Sequence, residues 1–257
     1  MPITLKTPDQ IKKMRDAGRV VRRVLDRCVE ICQPGATTQQ IDDAAQKVID
    51  DAGAKGLFRG YPGPTPFPAT LCISVNEEVV HGIASDERVI QDGDIVGVDC
   101  GVNLDGWCGD SATTILVGNV APEVRDLCTA TQHVLQIAIE NARPGRSWSQ
   151  VAKLMQGYAE SRGYGVVQDF VGHGIGRKLH EDPKVPNFVN NHLLQNDFLL
   201  KPGMVLAIEP MCNLGTADVV TLSDGWTVVT ADRKPAAHYE HTVAVTENGA
   251  DVLTDGR

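Results

Sequence analysis

Three features that mark common protein classes are missing from this chain of 257 residues. No apolar run approaches the roughly 20 residues that a membrane-spanning helix requires, so we expect no membrane partner. The opening segment MPITLKTPDQ contains no apolar signal core, which argues against secretion. The seven cysteines form no C-x-x-C pair, so the sequence indicates neither a zinc finger nor a disulfide framework. A reducing cytoplasm is therefore the expected location.

A surplus of positive charge is missing as well. The formal net charge is -9 and the pI is near 5.2, which argues against a broad phosphate-binding surface and against specific nucleic-acid binding. The hydrophobic content of 42% is ordinary for a globular protein with an ample core. Composition alone therefore indicates a globular protein and leaves its activity open.

An acidic hairpin is the clearest local sign of a site. The segment 94–117, DIVGVDCGVNLDGWCGDSATTILV, is typical of two strands joined by a turn at 103–106, because Asn and Asp-Gly favour positive φ. With the fold centred in that turn, Asp99 lies directly opposite Asp110, about 5 Å away at Cβ. Two carboxylates that close repel each other unless a proton or a cation lies between them. The hairpin predicts a cation site or, in the plainer interpretation, a solvated acidic face.

The chain also carries a diverged internal duplication. The Pro-Gly pairs at 34–35 and 144–145 lie 110 residues apart, and caps, apolar positions and glycines match at the same offset. Before the first pair, Thr7-Pro8-Asp9-Gln10 predicts a helix start with a capping box. We interpret the chain as one domain, 1–257, built from two pseudo-repeats of helix, Pro-Gly, helix and strands at about 8–117 and 118–250.

The duplication predicts two further acidic side chains in the site. At the 110-residue offset Asp99 corresponds to Glu209, and Glu240 in HYEHTVAVT is placed to be the counterpart of Asp110. Glu209 and Glu240 lie farther apart in sequence than the first pair, which predicts an insert with its own strands around Asp224-Gly225. Alone, each acid could be structural; four carboxylates converging from two halves would require cations.

Histidines next to glycines extend this candidate site. His173 and His180 lie in VGHGIGRKLHE, where glycines allow the backbone to approach a ligand closely. Imidazole nitrogen added to carboxylate oxygen suits Mn, Fe, Co or Zn better than Mg or Ca. His81 has no counterpart in the second half, where Asn191 stands, so it is a candidate for an added task. The alternative for each histidine is a structural role.

The remaining histidines are expected to be structural or at the surface. His133 and His192 lack any such context, and alternation along the strand is expected to point His238 and His241 away from the face of Glu240. The Pro- and Gly-rich segment 60–68, GYPGPTPFP, must be a loop. It forms either a rim of the site or a plain surface connection.

These segments resemble the signature segments of the type I methionine aminopeptidases, over essentially the whole chain: VNEEVVHG, DIVGVDCGVNLDGWCGDSATT, FVGHGIGRKLHE, VLAIEPM, DGWTVVT and YEHTVAVT. The resemblance implies a pita-bread fold of the α/β (α+β) class, in which two pseudo-symmetric halves share a central antiparallel sheet covered by helices. It also implies an enzyme that removes the N-terminal initiator methionine from nascent proteins and peptides by hydrolysis, preferring a small second residue.

The resemblance further implies roles for individual residues. Two divalent metal ions, Co, Mn, Fe or Zn, would be held by Asp99, Asp110, His173, Glu209 and Glu240. Asp110 and Glu240 would bridge both ions, and Glu209 would act as the general base. His81 would contact the substrate near the scissile amide, and His180 would hold the scissile carbonyl or its oxyanion. Cys72, Tyr61 and Trp226 fall near the pocket for the methionine side chain.

The sequence departs from the pattern of this family at two places. The loop at Pro62–Pro68 is longer than in the common bacterial form, and Leu179 stands where an aromatic residue is usual.

Prolidases and Xaa-Pro aminopeptidases of the same fold share the five ligands but usually carry a further N-terminal domain, for which 257 residues leave no room. Non-catalytic pita-bread binding modules tend to lack the ligands.

The expected partners are the N-termini of peptides or nascent chains. An enzyme that acts on nascent chains would suit contact with the ribosome. We expect a monomer.

Overall fold

The computed structural model describes residues 3–257, which contain five helices and fifteen strands. The helices are α1 (Pro8–Ile31), α2 (Thr38–Asp51), α3 (Pro122–Asn141), α4 (Trp148–Ser161) and α5 (Asn191–Gln195). The strands are β1 (Lys55–Gly56), β2 (Cys72–Val75), β3 (Glu78–Val80), β4 (Ile95–Leu104), β5 (Trp107–Leu116), β6 (Gly165–Val166), β7 (Gly172–Gly174), β8 (Glu181–Val185), β9 (Val205–Ile208), β10 (Met211–Asn213), β11 (Val219–Thr221), β12 (Val228–Thr230), β13 (Ala236–His238), β14 (His241–Thr246) and β15 (Gly249–Val252).

The first helix begins where the capping sequence predicts. The Thr7 hydroxyl oxygen accepts a hydrogen bond from the Gln10 N–H at 3.3 Å, and the Gln10 side-chain oxygen accepts one from the Thr7 N–H at 3.0 Å. Pro8 occupies the first helical position, where its missing N–H costs nothing. The predicted capping box is therefore confirmed, and α1 ends before Pro34-Gly35 as expected.

Equivalent elements recur in the two halves of the chain. The first and last residues of α4 each lie 110 positions after those of α2, and the same offset relates β6 to β1. Thr37 and Ser147 each form a capping box at the start of their helix. The Gly35 N–H donates to Ile90 and the Gly145 N–H donates to Leu200, at 2.9 and 2.8 Å. These matches support the two pseudo-repeats, about 8–117 and 118–250 within one domain, which stand as a proposal.

The strands form antiparallel sheets that helices cover on the outside. In the first half β4 pairs with β1, β2 and β5, and in the second half the order is β15-β14-β9-β7-β8. Smaller sheets have the orders β13-β10-β6 and β11-β12-β3. Apolar residues of α1 and α2 pack on β2 and β4, and those of α3 and α4 pack on β9 and β14. This arrangement leaves the opposite face of the strands free to form a site.

The β4–β5 hairpin has a different register from the predicted one. Its turn is centred on Asp105-Gly106, with φ of 51° and 80°, which is the positive pair that a two-residue hairpin turn requires. Asp99 consequently pairs with Ala112, and Asp110 pairs with Gly101. The expected direct opposition of the two acids is wrong by two residues. Because side chains alternate with a period of two, both acids still lie on the same face.

Other predictions about the strands are confirmed. The face of β4 opposite Asp99 is completely buried, at Val96, Val98, Cys100 and Val102. The insert between Glu209 and Glu240 forms strands β11 and β12 on either side of Asp224-Gly225. Strand β12 pairs with β3, so the insert reaches from the second half onto the first.

A close approach between α1 and the C-terminal segment gives a test of this packing. The change Gly18→Ala would place a methyl group 2.1 Å from the Leu253 carbonyl oxygen, whereas Gly157→Ala on α4 meets no atom within 4 Å. We expect Gly18→Ala to lower the free energy of unfolding in urea by about 1–3 kcal/mol because backbone must shift. The control Gly157→Ala should raise it by up to about 1 kcal/mol through helix propensity. A Gly18→Ala protein as stable as wild type would contradict the packing.

Candidate metal centre

A cavity of about 270 Å³ lies between the two halves and contains every residue predicted for the site. Its walls include the expected metal ligands Asp99, Asp110, His173, Glu209 and Glu240, and also His81, His180, Cys72, Tyr61 and Trp226. The sequence prediction did not include several aromatic wall residues, namely Phe58, Phe67 and Phe170. Distant parts of the chain are therefore brought together as predicted, while their individual roles remain proposals.

Contacts between strands of the two halves position the acidic residues. The Asp110 N–H donates to the Thr242 hydroxyl oxygen at 3.0 Å, and the Glu240 N–H donates to the Ala112 carbonyl at 2.9 Å. Strand β5 of the first half therefore lies beside the start of β14 of the second. Glu209 directly follows β9, which pairs with β7 and β14 in the same sheet.

The carboxyl groups are held where ionisation is unfavourable. Burial and then the neighbouring carboxyl groups raise the pKa of Asp99, Glu209 and Glu240 well above their usual values, and burial raises the pKa of Asp110 to about 7. One carboxyl oxygen each of Asp99, Asp110 and Glu240 is buried without a hydrogen-bond partner in the described part of the chain. The solvated-face interpretation is thus wrong for Asp110, which is 4% exposed. Orphaned carboxyl oxygens in this number are the donors that a cation would use.

His173 can offer a ring nitrogen as a metal ligand. Its Nδ1–H donates to the Gly174 carbonyl at 2.9 Å, which leaves Nε2 with a free lone pair. Nε2 lies 3.6 Å from Asp110 Oδ2 and 3.6 Å from Glu209 Oε1. Burial lowers the pKa of His173 to about 4, so the ring is neutral at pH 7 and these contacts are not ion pairs. One donor atom each of Asp110, His173 and Glu240 lies within 4.8 Å of the others.

Two further histidines face the cavity as neutral rings. His180 lies with its ring centroid 4.3 Å from that of His173, and its Nδ1 lies 2.8 Å from the Tyr61 hydroxyl. His81 has a positive φ of 60°, unusual for a residue with a side chain, and its ring meets Phe170 edge-on at 5.2 Å. Burial lowers the pKa of both to about 4, each also affected by a neighbouring histidine. Both can therefore donate or accept a hydrogen bond without carrying charge.

His238 is a cavity residue that the sequence interpretation missed. It is 4% exposed and lines the cavity, with Nε2 3.9 Å from Glu209 Oε2 and without a hydrogen-bond partner in residues 3–257. The expectation that it points away from Glu240 is wrong, because positions two apart share a face. That spacing was the signal available in the sequence. His241, by contrast, contacts the Thr254 hydroxyl at 2.8 Å, in keeping with a structural role.

The Pro- and Gly-rich segment 60–68 forms a rim of the cavity. The Gly60 N–H donates to Phe67 at 2.8 Å, and the Phe67 N–H donates to Tyr61 at 3.0 Å, which closes the loop on itself. Tyr61 and Phe67 line the cavity, as does Leu179 from the segment before β8. Of the two interpretations of this loop, the structure supports the rim.

Known proteins similar to this chain were found by sequence and by structure. The profile of metallopeptidase family M24 matches residues 11–247. Methionine aminopeptidase 1 of Bacillus subtilis (strain 168) is 44% identical over 252 residues, which cover 98% of this chain and 99% of the relative. Methionine aminopeptidase of Escherichia coli (strain K12) is 39% identical over 255 residues, covering 99% and 94%.

Solved structures give the same picture at the level of the fold. The crystal structure of methionine aminopeptidase from Thermotoga maritima matches with a TM-score of 0.93 and 41% identity, covering 98% of this chain and 99% of that one. The prolidase from Pyrococcus horikoshii OT3 matches with a TM-score of 0.77 and 21% identity, covering 98% of this chain but only 64% of that one. The second likeness is one of fold alone.

The raised pKa of Asp110 predicts how stability depends on pH when divalent ions are removed with EDTA. The pKa of this carboxyl group rises from 3.8 to about 7 on folding. Its ionisation therefore lowers the free energy of unfolding as the pH rises from about 4 to 7. Buried histidines with lowered pKa raise the free energy of unfolding over part of the same pH range. The test therefore compares the Asp110→Asn variant with wild type, because both contain these histidines. The free energy of unfolding of Asp110→Asn relative to wild type should rise by roughly 2 kcal/mol or more from pH 4.5 to pH 7.5. A difference independent of pH would contradict the buried carboxyl cluster.

Proposed function

The chain belongs to metallopeptidase family M24, among the methionine aminopeptidases, and on that premise we propose that it removes the N-terminal methionine from proteins and peptides. The predicted family resemblance and the α/β fold of antiparallel sheets covered by helices are confirmed by these matches. The observation that carries the proposal is the cluster of buried carboxyl groups and a neutral imidazole at the wall of an apolar cavity. A preference for a small second residue is part of the proposal.

The donor set fits divalent cations. Buried carboxyl oxygens without partners converge with the free Nε2 of a neutral histidine, and this mixture suits Mn, Fe, Co or Zn. Two such ions would be held by Asp99, Asp110, His173, Glu209 and Glu240, all of which line the cavity. Such ions, when bound, supply Lewis-acid polarisation of the scissile carbonyl and lower the pKa of the attacking water.

Glu209 is the residue that we assign to proton transfer. Its carboxyl group lines the cavity between two imidazoles, with Oε1 near His173 and Oε2 near His238. From there it can take the proton of the attacking water and pass it to the leaving amine. Positioned proton transfer of this kind contributes typically about 10²–10⁴-fold to rate.

His180 and His81 are assigned to the scissile amide. The Tyr61 hydroxyl lies 2.8 Å from Nδ1 of His180. We assign the hydroxyl as the donor, which places the ring proton of His180 on Nε2. An N–H facing the cavity can donate to the carbonyl oxygen as negative charge develops on it. His81 is held beside Phe170 and Trp226 by its positive-φ backbone and contacts the substrate near the same amide.

An apolar part of the cavity would take the first side chain of the substrate. Cys72, Tyr61 and Trp226 belong to one apolar cluster with Phe58, Phe67 and Leu179. A flexible, unbranched side chain with a polarisable sulfur fills an aromatic pocket of this kind well. Leu179, which stands where the family usually has an aromatic residue, lines the cavity and so changes the shape of this pocket wall.

The rival functions have less support. The prolidase likeness covers a smaller share of that chain at lower identity, and a binding module would not need buried acids without partners. Residues 3–257 contain no helix that is long and apolar enough to cross a membrane. We propose the cytoplasm as the location, peptide and nascent-chain N-termini as partners, with contact to the ribosome in keeping with such substrates, and a monomeric state.

Removal of a proposed metal ligand should abolish activity. Asp110→Ala or Glu240→Ala should reduce methionine release from Met-Ala-Ser by at least about a thousandfold, because several kcal/mol of transition-state stabilisation are lost. Asp50→Ala on the exposed face of α2 is the matched control and should retain wild-type turnover. Full activity in either variant would contradict the assignment of that residue as a metal ligand. Release from Met-Ala-Ser but not from a Xaa-Pro peptide would separate the proposed function from its closest rival.

The contact between Tyr61 and His180 predicts a selective kinetic defect. Tyr61→Phe keeps the ring but removes the hydroxyl that fixes the His180 tautomer, so kcat for Met-Ala-Ser should fall about tenfold with little change in KM. Steady-state kinetics at saturating divalent ion measure both constants. A rise in KM with unchanged kcat would show that Tyr61 acts only as a pocket wall.

A further inference from the structure

Two separate segments meet at the mouth of the cavity. We call residues 60–68 the rim loop; the other segment is the insert hairpin of β11 and β12, which carries Trp226 in its turn region. The indole Nε1–H of Trp226 donates to the carbonyl oxygen of Thr65 at 2.9 Å. The Phe67 ring meets the same indole edge-on, with centroids 5.2 Å apart. The rim loop therefore holds one side of the indole by a hydrogen bond and a ring contact.

Gly63 also lies against the indole. A Cβ atom at this position would lie 2.2 Å from Cζ2 and 2.5 Å from Cη2 of Trp226, which leaves no room for any side chain. Pro64 lies against the neighbouring Gly225, where a Cβ would come within 3.3 Å of it. Four prolines in the nine residues of the rim loop restrict its backbone further. The Trp226 indole thus lies between a conformationally restricted loop and the cavity.

The other side of the indole faces the site. Trp226 lines the cavity, and its ring lies 6.2 Å from that of His81. The apolar wall to which it belongs also contains Cys72, whose strand position pairs with that of Asp99. An apolar side chain against this wall would place its own α-amino group close to the acidic residues. The wall therefore borders the first residue of a substrate.

We propose that the rim loop is a specificity device that fixes the Trp226 indole as a rigid wall for the side chain of the first substrate residue. This inference rests on the proposed function and extends it to residues of the rim loop. A wall that cannot move discriminates by size, and one methylene in a hydrophobic pocket is worth about 10–200-fold in kcat/KM. A wall that can move loses part of that discrimination.

Gly63→Ala tests the contact in one direction. The new methyl group pushes the indole into the cavity, so the pocket becomes shallower. We expect kcat/KM for Met-Ala-Ser to fall by at least about tenfold, and that for the same peptide with the shorter norvaline in first place to fall much less. Gly157→Ala, which meets no atom within 4 Å on a distant helix, is the matched control and should leave both values unchanged.

Phe67→Ala tests the opposite direction. Loss of the ring contact frees the indole, so the preference for Met-Ala-Ser over a peptide beginning with the bulkier phenylalanine should fall by about tenfold. This variant also keeps the proposal testable if Gly63→Ala fails to fold.

The two proposals fail in different ways. Equal loss for both first residues in Gly63→Ala, or an altered preference at the second residue between Met-Ala-Ser and Met-Val-Ser, would overturn the role of the rim loop and leave the aminopeptidase function intact. Wild-type protein that releases no first residue from any of these peptides would overturn the proposed function, and the inference with it.

Discussion

Four carboxyl groups lie in one cavity, Asp110 and Glu240 buried and Asp99 and Glu209 half-buried, and the rest of this structure depends on that constraint. Each group loses hydration, and the charges of Asp99, Asp110 and Glu209 raise the pKa of neighbouring carboxyl groups further. Both effects favour the protonated form when no cation is bound. A fold does not retain such a cluster for stability, because replacing buried charge with apolar groups is often neutral or stabilising. The orphaned oxygens of Asp99, Asp110 and Glu240 make sense as a set of donors.

The proposed duplication accounts for how the cluster is assembled. Each half contributes a strand pair that is covered by helices on its outer face, and the inner faces meet where β5 lies beside the start of β14. The parts that differ between the halves, the rim loop and the insert hairpin, lie at the cavity mouth and contact each other through Trp226. Both halves of the chain thus provide acids of the cluster, and the rim loop and the insert hairpin border the same cavity.

Local patterns predicted the helix start at Thr7, the buried face of β4 and the strands of the insert, because caps, alternation and turn residues act within a few positions. Placing Glu209 and Glu240 with Asp99 and Asp110 required the internal duplication. The hairpin register was missed by two residues because two turn centres compete in Asn103–Gly106, and only the positive φ of Asp105-Gly106 decides between them. The contact of Thr65 with Trp226 joins residues 161 apart, and no local pattern specifies it.

Calorimetric titration of the metal-free protein with Mn²⁺ at pH 7.5, in buffers of different ionisation enthalpy, measures both the number of ions bound and the number of protons released. We expect two ions to bind per chain with release of protons, because carboxyl groups with raised pKa must ionise to act as ligands. Absence of binding, or binding with no proton release, would contradict the view that the cavity holds a protonated carboxyl cluster built for cations.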